Sequence, residues 1–192
     1  MINSLYPTFR NWSNTGSIWL ISDTHFDDPD CKLMDEFWIT PEEHMKIIKA
    51  YVHKNDTLIH LGDVGNPKYL KDMNCLMVLI TGNHDKKSQL QDYFDIIYDG
   101  PLFIADRLLL SHEPIYGLSD FCVNIHGHNH ERILYPQRNP NKENGRYTHW
   151  NIASNVVDFT PLNLGMAIKM GLLASTPNYH RITIDNAGYN HE

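Results

Sequence analysis

Five short segments that carry Asp, Asn and His residues each stand directly after an apolar run of the chain. They are Ser22-Asp23-Thr24-His25, Gly62-Asp63, Gly82-Asn83-His84-Asp85, Ser111-His112 and Gly127-His128-Asn129-His130. Three of the preceding runs, at 17–21, 57–61 and 76–80, are short and rich in Ile, Leu and Val, as is typical of buried strands. Functional sites in α/β sheets form beyond the carboxyl ends of the strands. We therefore expect the five segments to meet at one edge of a sheet.

Helices and turns are predicted between the strands, which indicates an α/β fold. Thr40, Pro41 and Glu43 have the positions of a capping box with proline in the first helical turn, and residues 45–52 supply the buried stripe of that helix. Residues 67–73 fit a short second helix. The remaining elements are predicted as strands at 95–97, 102–104, 107–110, 122–125 and 149–152, a polar loop at 135–147, a helix opened by Thr160-Pro161, and a last strand at 181–184.

Neither an internal repeat nor a linker divides the 192 residues, so we expect one domain. Its core is predicted at 17–170, between an N-terminal extension at 1–16 and a C-terminal segment at 171–192. The net charge of −7 argues against tight binding of duplex nucleic acid, which depends on Lys and Arg. Three cysteines without a CxxC pair indicate a reducing compartment. Since no signal peptide and no apolar run of about 20 residues is present, we expect a cytoplasmic protein without a membrane segment.

The donor groups of the five segments suit a pair of divalent cations. Carboxylate, amide and imidazole groups occur without a thiolate, which favours Mn, Fe or Zn over Mg as the resting pair. We expect two divalent ions, with Mn as the first choice and Fe, Ni, Zn or Mg as the alternatives. Two cations about 3.5–4 Å apart are a recurring means of hydrolysing phosphate esters. Taken singly, Asp63 also fits a turn residue, and Asn83 a turn residue or helix cap.

Taken together and in order, the five segments resemble the motifs of the calcineurin-like metallophosphoesterases, which read DxH, GD, GNH(D/E), H and GHxH. The flanking residues 61–65, 111–114 and 126–130 match as well, and 151–161 resembles the closing strand and helix start of that family. The resemblance covers residues 17–170. It implies the family's fold, a four-layer α/β/β/α sandwich of two mixed sheets flanked by helices, with the site at one end.

The resemblance also implies a role for each donor residue. The implied ligands of the first metal are Asp23, His25 and His130. Those of the second metal are Asn83, His112 and His128, and Asp63 is implied to bridge the two ions. His84 is implied to be the general acid or charge stabiliser above the substrate phosphate, oriented by Asp85. Neither of these two residues is implied to bind metal.

Hydrolysis of a phosphate ester would follow from this arrangement. Two cations lower the pKa of a water molecule between them and provide hydroxide near neutral pH, while His84 would protonate the leaving alkoxide. We expect a metal-dependent phosphoesterase that favours phosphodiesters over monoesters, because small relatives tend to be diesterases and no large cap domain is present. The expected partner is a small phosphorylated substrate, for which a nucleotide is one candidate.

Two alternative functions predict different features. A nuclease acting on the ends of DNA or RNA needs a basic groove near the site. The local candidates for such a groove are Lys86, Lys87, Arg132 and Arg138. A catalytically silent interaction scaffold would lack His84 or several of the ligands, whereas this chain retains them all. The metal-dependent enzyme is therefore the leading interpretation.

The chain departs from the family at Asp27-Asp28, where close relatives often carry Gly-His. Two extra carboxylates would repel an anionic substrate unless they face solvent, so the departure predicts an altered substrate pocket. Among the remaining histidines, His44 and His53 are expected on the surface of the first helix. His60 and His126 are expected behind the site as supporting residues rather than ligands.

Overall fold

Two five-stranded mixed sheets form the framework of the protein. A computed structural model describes residues 16–105, 108–117, 122–132, 137–138 and 147–169. In chain order the strands are β1 (Ile18–Ile21), β2 (Thr57–His60), β3 (Leu76–Ile80), β4 (Ile96–Tyr98), β5 (Leu102–Ala105), β6 (Leu108–Leu110), β7 (Val123–His126), β8 (Gln137–Arg138), β9 (Tyr147–Asn151) and β10 (Leu162–Asn163). The helices are α1 (Cys31–Met34), α2 (Pro41–Tyr51), α3 (Lys87–Leu90) and α4 (Leu164–Lys169), with a 3-10 turn at Pro67–Leu70.

Parallel strands carry the predicted site segments to one edge of each sheet. The first sheet has the order β10-β1-β2-β3-β4, in which β1 to β4 are parallel and β10 is antiparallel to β1. The second sheet has the order β5-β6-β7-β9-β8, in which β6, β7 and β9 are parallel. A parallel bridge between Ser22 and Ala153 joins the chain after β1 to the chain after β9. The carboxyl ends of both sets of parallel strands therefore lie at a shared edge.

The main core lies between the two sheets. Leu20, Ile59 and Val78 of the first sheet and Leu110 and Ile125 of the second belong to one cluster, and each is at most 1% exposed. On the other face of the first sheet, the alternate strand residues pack against α2 in a second buried cluster. Burial on both faces explains why β1, β2 and β3 are continuous apolar runs in the sequence. The predicted fold class, an α/β sandwich of two mixed sheets flanked by helices, is confirmed.

The start of α2 is as predicted, and two other helix predictions need correction. Thr40 Oγ1 accepts from the Glu43 N–H, and the Glu43 carboxylate accepts from the Thr40 N–H, which completes the capping box. The helix predicted at 67–73 is a single 3-10 turn. Thr160-Pro161 does not open a helix, because the next two residues pair with β1 as strand β10 and α4 follows them.

Several predictions lie wholly or largely outside the described residues. These are the N-terminal extension, the C-terminal segment with its strand at 181–184, and most of the loop at 135–147. Within the described part of the chain, none of the helices has the length and apolar character needed to cross a membrane.

His44 lies in the core, and its predicted surface position is wrong. Its side chain is 1% exposed and packs edge-on between Phe26, at 5.5 Å between ring centroids, and Phe159, at 5.2 Å. Burial, followed by the nearby charge of His60, lowers the pKa of His44 to about 3. The imidazole is therefore neutral in the folded protein at physiological pH.

Acid is expected to destabilise the fold through this buried histidine. The pKa of His44 is lower in the folded chain than its unfolded value of about 6.5, so its contribution is present above that pH and is lost as the pH falls. The free energy of unfolding should fall by roughly 2 kcal/mol in total between about pH 7 and about pH 5 from this residue alone, and the slope approaches about 1.4 kcal/mol per pH unit below about pH 6. Urea unfolding of metal-free protein at several pH values from about 7 to about 5 measures the slope of the free energy of unfolding against pH. His44→Phe should reduce the slope, and exposed His53→Phe should leave it unchanged; equal slopes in both variants would contradict the expectation.

Candidate dinuclear metal centre

The five predicted segments converge at the shared sheet edge. The residues that follow the strand ends are Asp23 after β1, Asp63 after β2, Asn83 after β3, His112 after β6 and His128 after β7. Backbone hydrogen bonds join the loops directly. The Asp23 N–H donates to the Gly62 carbonyl at 2.9 Å, and the Gly127 N–H donates to the His112 carbonyl at 2.9 Å. Donors from distant parts of the sequence are thus brought into contact.

The predicted ligands form two groups of potential metal-binding atoms. In each group, one donor atom from every residue lies within 4.8 Å of the others. The first group is Asp23, His25 and His130, and the second is Asp63, His112 and His128. Asn83 adds an oxygen to the second group, since its Oδ1 lies 2.8 Å from His112 Nε2 and 3.2 Å from His128 Nδ1.

Asp63 stands between the two groups. Its Oδ2 lies 3.3 Å from His112 Nε2 in the second group and 3.6 Å from His25 Nε2 in the first. Its Oδ1 accepts a hydrogen bond from the His84 N–H at 2.9 Å. A carboxylate in this position can contribute an oxygen to both groups, as a bridging ligand must.

The site has a buried floor and an open side. Asp23, His25, Asp63 and His112 are each at most 5% exposed. Asn83 and His84 are exposed, and His128 and His130 are half-buried. A ligand can therefore approach the donor groups from the side of the loops after β3 and β7.

Four of the predicted ligands have a left-handed backbone, which is uncommon outside glycine. The φ angles are 55° at Asp23, 41° at His25, 56° at Asp63 and 68° at His128. Such conformations cost about 1–3 kcal/mol each and cluster at functional sites. They are held by bonds between loops, such as that from the His25 N–H to the Asp63 carbonyl at 3.1 Å and that from the His128 N–H to the Asp23 carboxylate at 2.9 Å.

Two glycines allow the loops to approach this closely. A Cβ at Gly127 would overlap Ser22 Oγ and Asp23 Oδ2. Gly62 has a φ of +100°, and a Cβ there would lie 2.5 Å from the backbone nitrogen of Gly82. A side chain at either position would therefore displace a loop that carries ligands.

Hydrogen bonds on the outward side orient three of the imidazoles. The outward contacts are His25 Nδ1 to Asp28 Oδ2 at 3.0 Å, His112 Nδ1 to the Leu61 carbonyl at 2.9 Å, and His130 Nδ1 to Asn155 Oδ1 at 3.2 Å. Because these oxygens accept, Nδ1 carries the hydrogen in each ring, and the Nε2 lone pair is directed at the donor groups. The histidines are thus set up as ligands through Nε2.

The buried charges of the site require a positive partner. Burial raises the pKa of Asp23. Burial also opposes charge on His112, but its hydrogen bond with Asp63 and the charges of Asp23 and Asp63 outweigh burial and raise its pKa. For Asp63 burial is likewise outweighed, chiefly by His112, and its pKa falls to about 2. A proton on His112 or a bound cation can supply the positive charge.

The donor set fits divalent cations. His25 Nε2 is buried and has no hydrogen-bond partner among the described residues, although carboxylate oxygens of Asp23 and Asp63 lie 3.9 Å and 3.6 Å away. In the neutral form of His112, whose hydrogen is on Nδ1, the Nε2 lone pair also faces oxygens, those of Asn83 at 2.8 Å and Asp63 at 3.3 Å. Lone pairs that face one another around a small volume favour a cation, and mixed carboxylate, amide and imidazole donors suit the metals from Mn to Zn. The two groups together fit a dinuclear centre.

His84 and Asp85 lie beside the donor groups with different contacts. The His84 ring is exposed and stands 5.8 Å from the His25 ring, and only its backbone N–H contacts Asp63. The Asp85 carboxylate accepts from three backbone N–H groups, those of Asp63 at 2.9 Å, Val64 at 3.0 Å and Gly82 at 2.9 Å. Asp85 therefore ties the loops after β2 and β3 together. Its predicted role in orienting the His84 imidazole stays a prediction.

The two extra carboxylates after the first segment both bind protein groups. Asp27 accepts from Asn66 Nδ2 at 2.6 Å and from the Tyr69 hydroxyl at 2.9 Å. Asp28 faces His25 Nδ1 at 3.0 Å. Their charges are engaged within the protein, which limits the repulsion of an anionic substrate that the sequence predicts.

His60 lies behind the site, where the sequence places it. Its Nδ1 accepts from the Gly62 N–H at 3.1 Å, so Nε2 carries the hydrogen and donates to Thr24 Oγ1 at 3.0 Å. The Thr24 hydroxyl donates in turn to the Val64 carbonyl at 2.8 Å. Burial lowers the pKa of His60 to about 4, and the neutral ring ties the first two ligand loops together.

Two supporting asparagines, one at the end of β9 and one just after it, were not predicted from the sequence. Asn151 Nδ2 donates to the Asn129 carbonyl at 2.5 Å, and Asn155 Nδ2 donates to the His130 carbonyl at 2.7 Å. Both hold the loop that carries His128 and His130, the last two predicted ligands. Their position at or just after the end of a strand that reaches the site edge is the signal that could have found them.

Two of the four cations proposed for a nucleic-acid groove are paired with carboxylates. Lys87 Nζ lies 2.8 Å from Asp99. Arg132 lies 2.7 Å from Asp35 and 3.2 Å from Asp158. Lys86 is exposed, and the side chain of Arg138 is outside the described residues. The described structure therefore places little unpaired positive charge beside the donor groups.

The fold and the paired donor groups define a dinuclear metallohydrolase. A family model, the calcineurin-like phosphoesterase superfamily domain, matches residues 17–151. The chain belongs to this superfamily, and at that level it is a metal-dependent phosphoesterase.

A solved structure supports the fold. The crystal structure of AQ665, a protein of unknown function from Aquifex aeolicus, aligns with a TM-score of 0.63 and 24% identity, covering 80% of this chain and 98% of that chain. At this identity the likeness concerns the fold. Among curated proteins, no sequence matches this chain.

Proposed function

We propose that this protein is a phosphodiesterase that uses two divalent cations, with Mn as the first choice, to hydrolyse a small phosphorylated substrate such as a nucleotide diester. The observation that carries the proposal is the pair of donor groups that share Asp63 beside the exposed imidazole of His84. A phosphomonoesterase would need the same centre. The open side of the site favours a diester, because the second ester group can extend past Asn83 into solvent.

The proposed roles follow from the contacts of each residue. Asp23, His25 and His130 would hold the first ion, Asn83, His112 and His128 would hold the second, and Asp63 would contribute to both sites. When bound, the cations supply Lewis-acid activation of water and of the phosphoryl group. His84 donates a proton to the leaving oxygen, for which its exposed ring beside the donor groups is suited. Asp85 keeps the loops of Asp63 and Asn83 in register.

A small substrate is favoured over a nucleic acid. Lys87 and Arg132, two of the four cations that the sequence offers for a nucleic-acid groove, are paired with carboxylates. The chain as a whole carries a net charge of −7. Affinity for a nucleic-acid backbone comes mostly from neutralisation of phosphates by Lys and Arg, so this surface supplies little of it.

We also propose the cytoplasm as the location of the protein. Cys31 and Cys75 are free thiols, which suits a reducing compartment. Burial raises the pKa of Cys31 to about 12, so this thiol is an inert packing residue.

Hydrolysis assays with added Mn²⁺ test the proposed function. We expect faster hydrolysis of bis-p-nitrophenyl phosphate than of p-nitrophenyl phosphate, slow cleavage of a labelled single-stranded oligonucleotide, and loss of all activity with a chelator. Faster cleavage of the oligonucleotide would support the nuclease instead. Inactivity on every substrate with Mn, Fe, Ni and Zn would overturn the proposal.

A further inference from the structure

The contact between His25 and Asp28 distinguishes one metal group from the other. Asp28 Oδ2 lies 3.0 Å from His25 Nδ1, and a carboxylate can only accept from that nitrogen. The hydrogen is therefore on Nδ1, and the Nε2 lone pair faces the carboxylates of Asp23 and Asp63. Nε2 is buried and has no hydrogen-bond partner in the described part of the chain.

The Asp28 carboxylate is fixed in place by the turn that leads into α1. Its Oδ1 accepts from the Asp30 N–H at 2.9 Å, which leaves Oδ2 for His25. The Asp28 N–H donates to the His25 carbonyl at 3.0 Å, and the Cys31 N–H donates to the Asp28 carbonyl at 3.3 Å. The side chain is 28% exposed and is held on two sides, so its contact with His25 does not depend on a flexible chain.

The other outward nitrogens have weaker partners. His112 Nδ1 faces the Leu61 carbonyl, and His130 Nδ1 faces the side-chain amide of Asn155. Of these three outward nitrogens, only that of His25 faces a carboxylate. An anionic partner fixes the ring and makes the opposite nitrogen a stronger donor than a neutral partner does.

We propose that Asp28 is a positioning residue that holds His25 as a ligand and selectively strengthens cation binding by the first group, Asp23, His25 and His130. The inference rests on the proposed metal-dependent function, because it needs a cation in that group. It assigns a role to a carboxylate that stands where close relatives often carry another residue. Asp28 acts through His25 and does not touch the substrate.

Asp27 provides a matched control. It is the neighbouring carboxylate, and its oxygens accept from Asn66 and Tyr69 rather than from a ligand. Asp27→Ala removes one negative charge from the same loop, as Asp28→Ala does, without removing a contact to His25. A selective effect of Asp28 therefore reports the contact with His25 and not the charge of the loop.

Metal titration of the full chain tests the inference. We expect wild type and Asp27→Ala to bind two equivalents of Mn²⁺ in chelator-buffered solution, and Asp28→Ala to bind one of the two about 10–100-fold more weakly. Asp28→Asn should fall between, since its amide oxygen still accepts from Nδ1 without the charge. In metal-free protein, long-range ¹H–¹⁵N correlation of the imidazoles should show the Nδ1–H tautomer of His25 in wild type and a tautomer mixture in Asp28→Ala.

Each outcome decides the inference. Wild-type affinity for both equivalents in Asp28→Ala, or the same loss in Asp27→Ala, would overturn it and leave the proposed function intact. Failure of the wild-type protein itself to bind divalent cations would remove the proposed function, and the inference with it. A single His25 tautomer that persists in Asp28→Ala would also show that Asp28 does not position the ring.

Discussion

Replacing Asp63 by alanine is expected to deprive the protein of both divalent cations and to lower its phosphoesterase activity by more than about 100-fold. Even the outer partners of metal ligands are worth about 10–100-fold, and Asp63 is placed to serve both groups directly. Its Oδ2 lies 3.6 Å from His25 Nε2 and 3.3 Å from His112 Nε2. Metal content after gel filtration, measured by inductively coupled plasma mass spectrometry, checks the expectation together with the rate of diester hydrolysis.

The same variant should also lower the pKa of His112 in metal-free protein. Asp63 helps to raise that pKa against burial, by a hydrogen bond and by its charge. Histidine titration by NMR measures the change without reference to activity. Asp99→Ala removes an exposed carboxylate that pairs with Lys87 and should alter neither the metal content nor His112. Two tightly bound cations in Asp63→Ala would contradict the bridging role.

The positions of the predicted ligands follow from the strands that precede them. The predicted runs at 17–21, 57–61 and 76–80 agree with β1, β2 and β3 within one residue at each end. Parallel strands end at the same edge of a sheet, so an apolar run and the polar residue after it together indicate a place in space. Asp23, Asp63 and Asn83 can therefore be placed at one sheet edge from the sequence alone.

His44 shows where such reasoning fails. Its position four residues before Ile48 places both on one face of α2, yet its polarity favours solvent in a sequence-based prediction. Contacts with Phe26 and with Phe159, far along the chain, decide that the ring is buried. Packing between distant segments overrides the preference of a single residue.

The supports of the ligands are harder to predict than the ligands themselves. Asp85 binds backbone N–H groups of another loop, and Asp28 reaches back to a ring three residues earlier. His25 and Asp63, which these carboxylates contact, have left-handed backbone, and the sequence of side chains does not indicate this conformation. Residue types therefore indicate the donors, while the loop conformation determines which neighbours hold them.

The backbone and the side chain of His84 have different surroundings. Its backbone supports the centre through the N–H bond to Asp63, whereas its imidazole is exposed beside the donor groups. Substitution of the side chain leaves the N–H in place. We therefore expect that a change of this side chain lowers activity and leaves metal binding intact.

His84→Ala is expected to retain both cations and to lose about 10²–10⁴-fold in kcat, the usual contribution of a general acid. Alanine keeps the N–H that donates to Asp63 at 2.9 Å, and loss of an exposed ring creates no cavity. Metal analysis and steady-state kinetics on the same Mn-loaded sample measure the two quantities. His53→Ala, at another exposed histidine, should change neither.

The dependence of that loss on the leaving group identifies what His84 does. A nitrophenolate departs readily without a proton, whereas an alkoxide departs poorly unless it is protonated. The loss in His84→Ala should therefore be smaller for bis-p-nitrophenyl phosphate than for a diester with an alkyl or ribose leaving group. Equal losses for the two substrates would show that the imidazole stabilises charge rather than donating a proton. Depletion of both ions in His84→Ala would contradict a catalytic role and show that His84 supports metal binding instead.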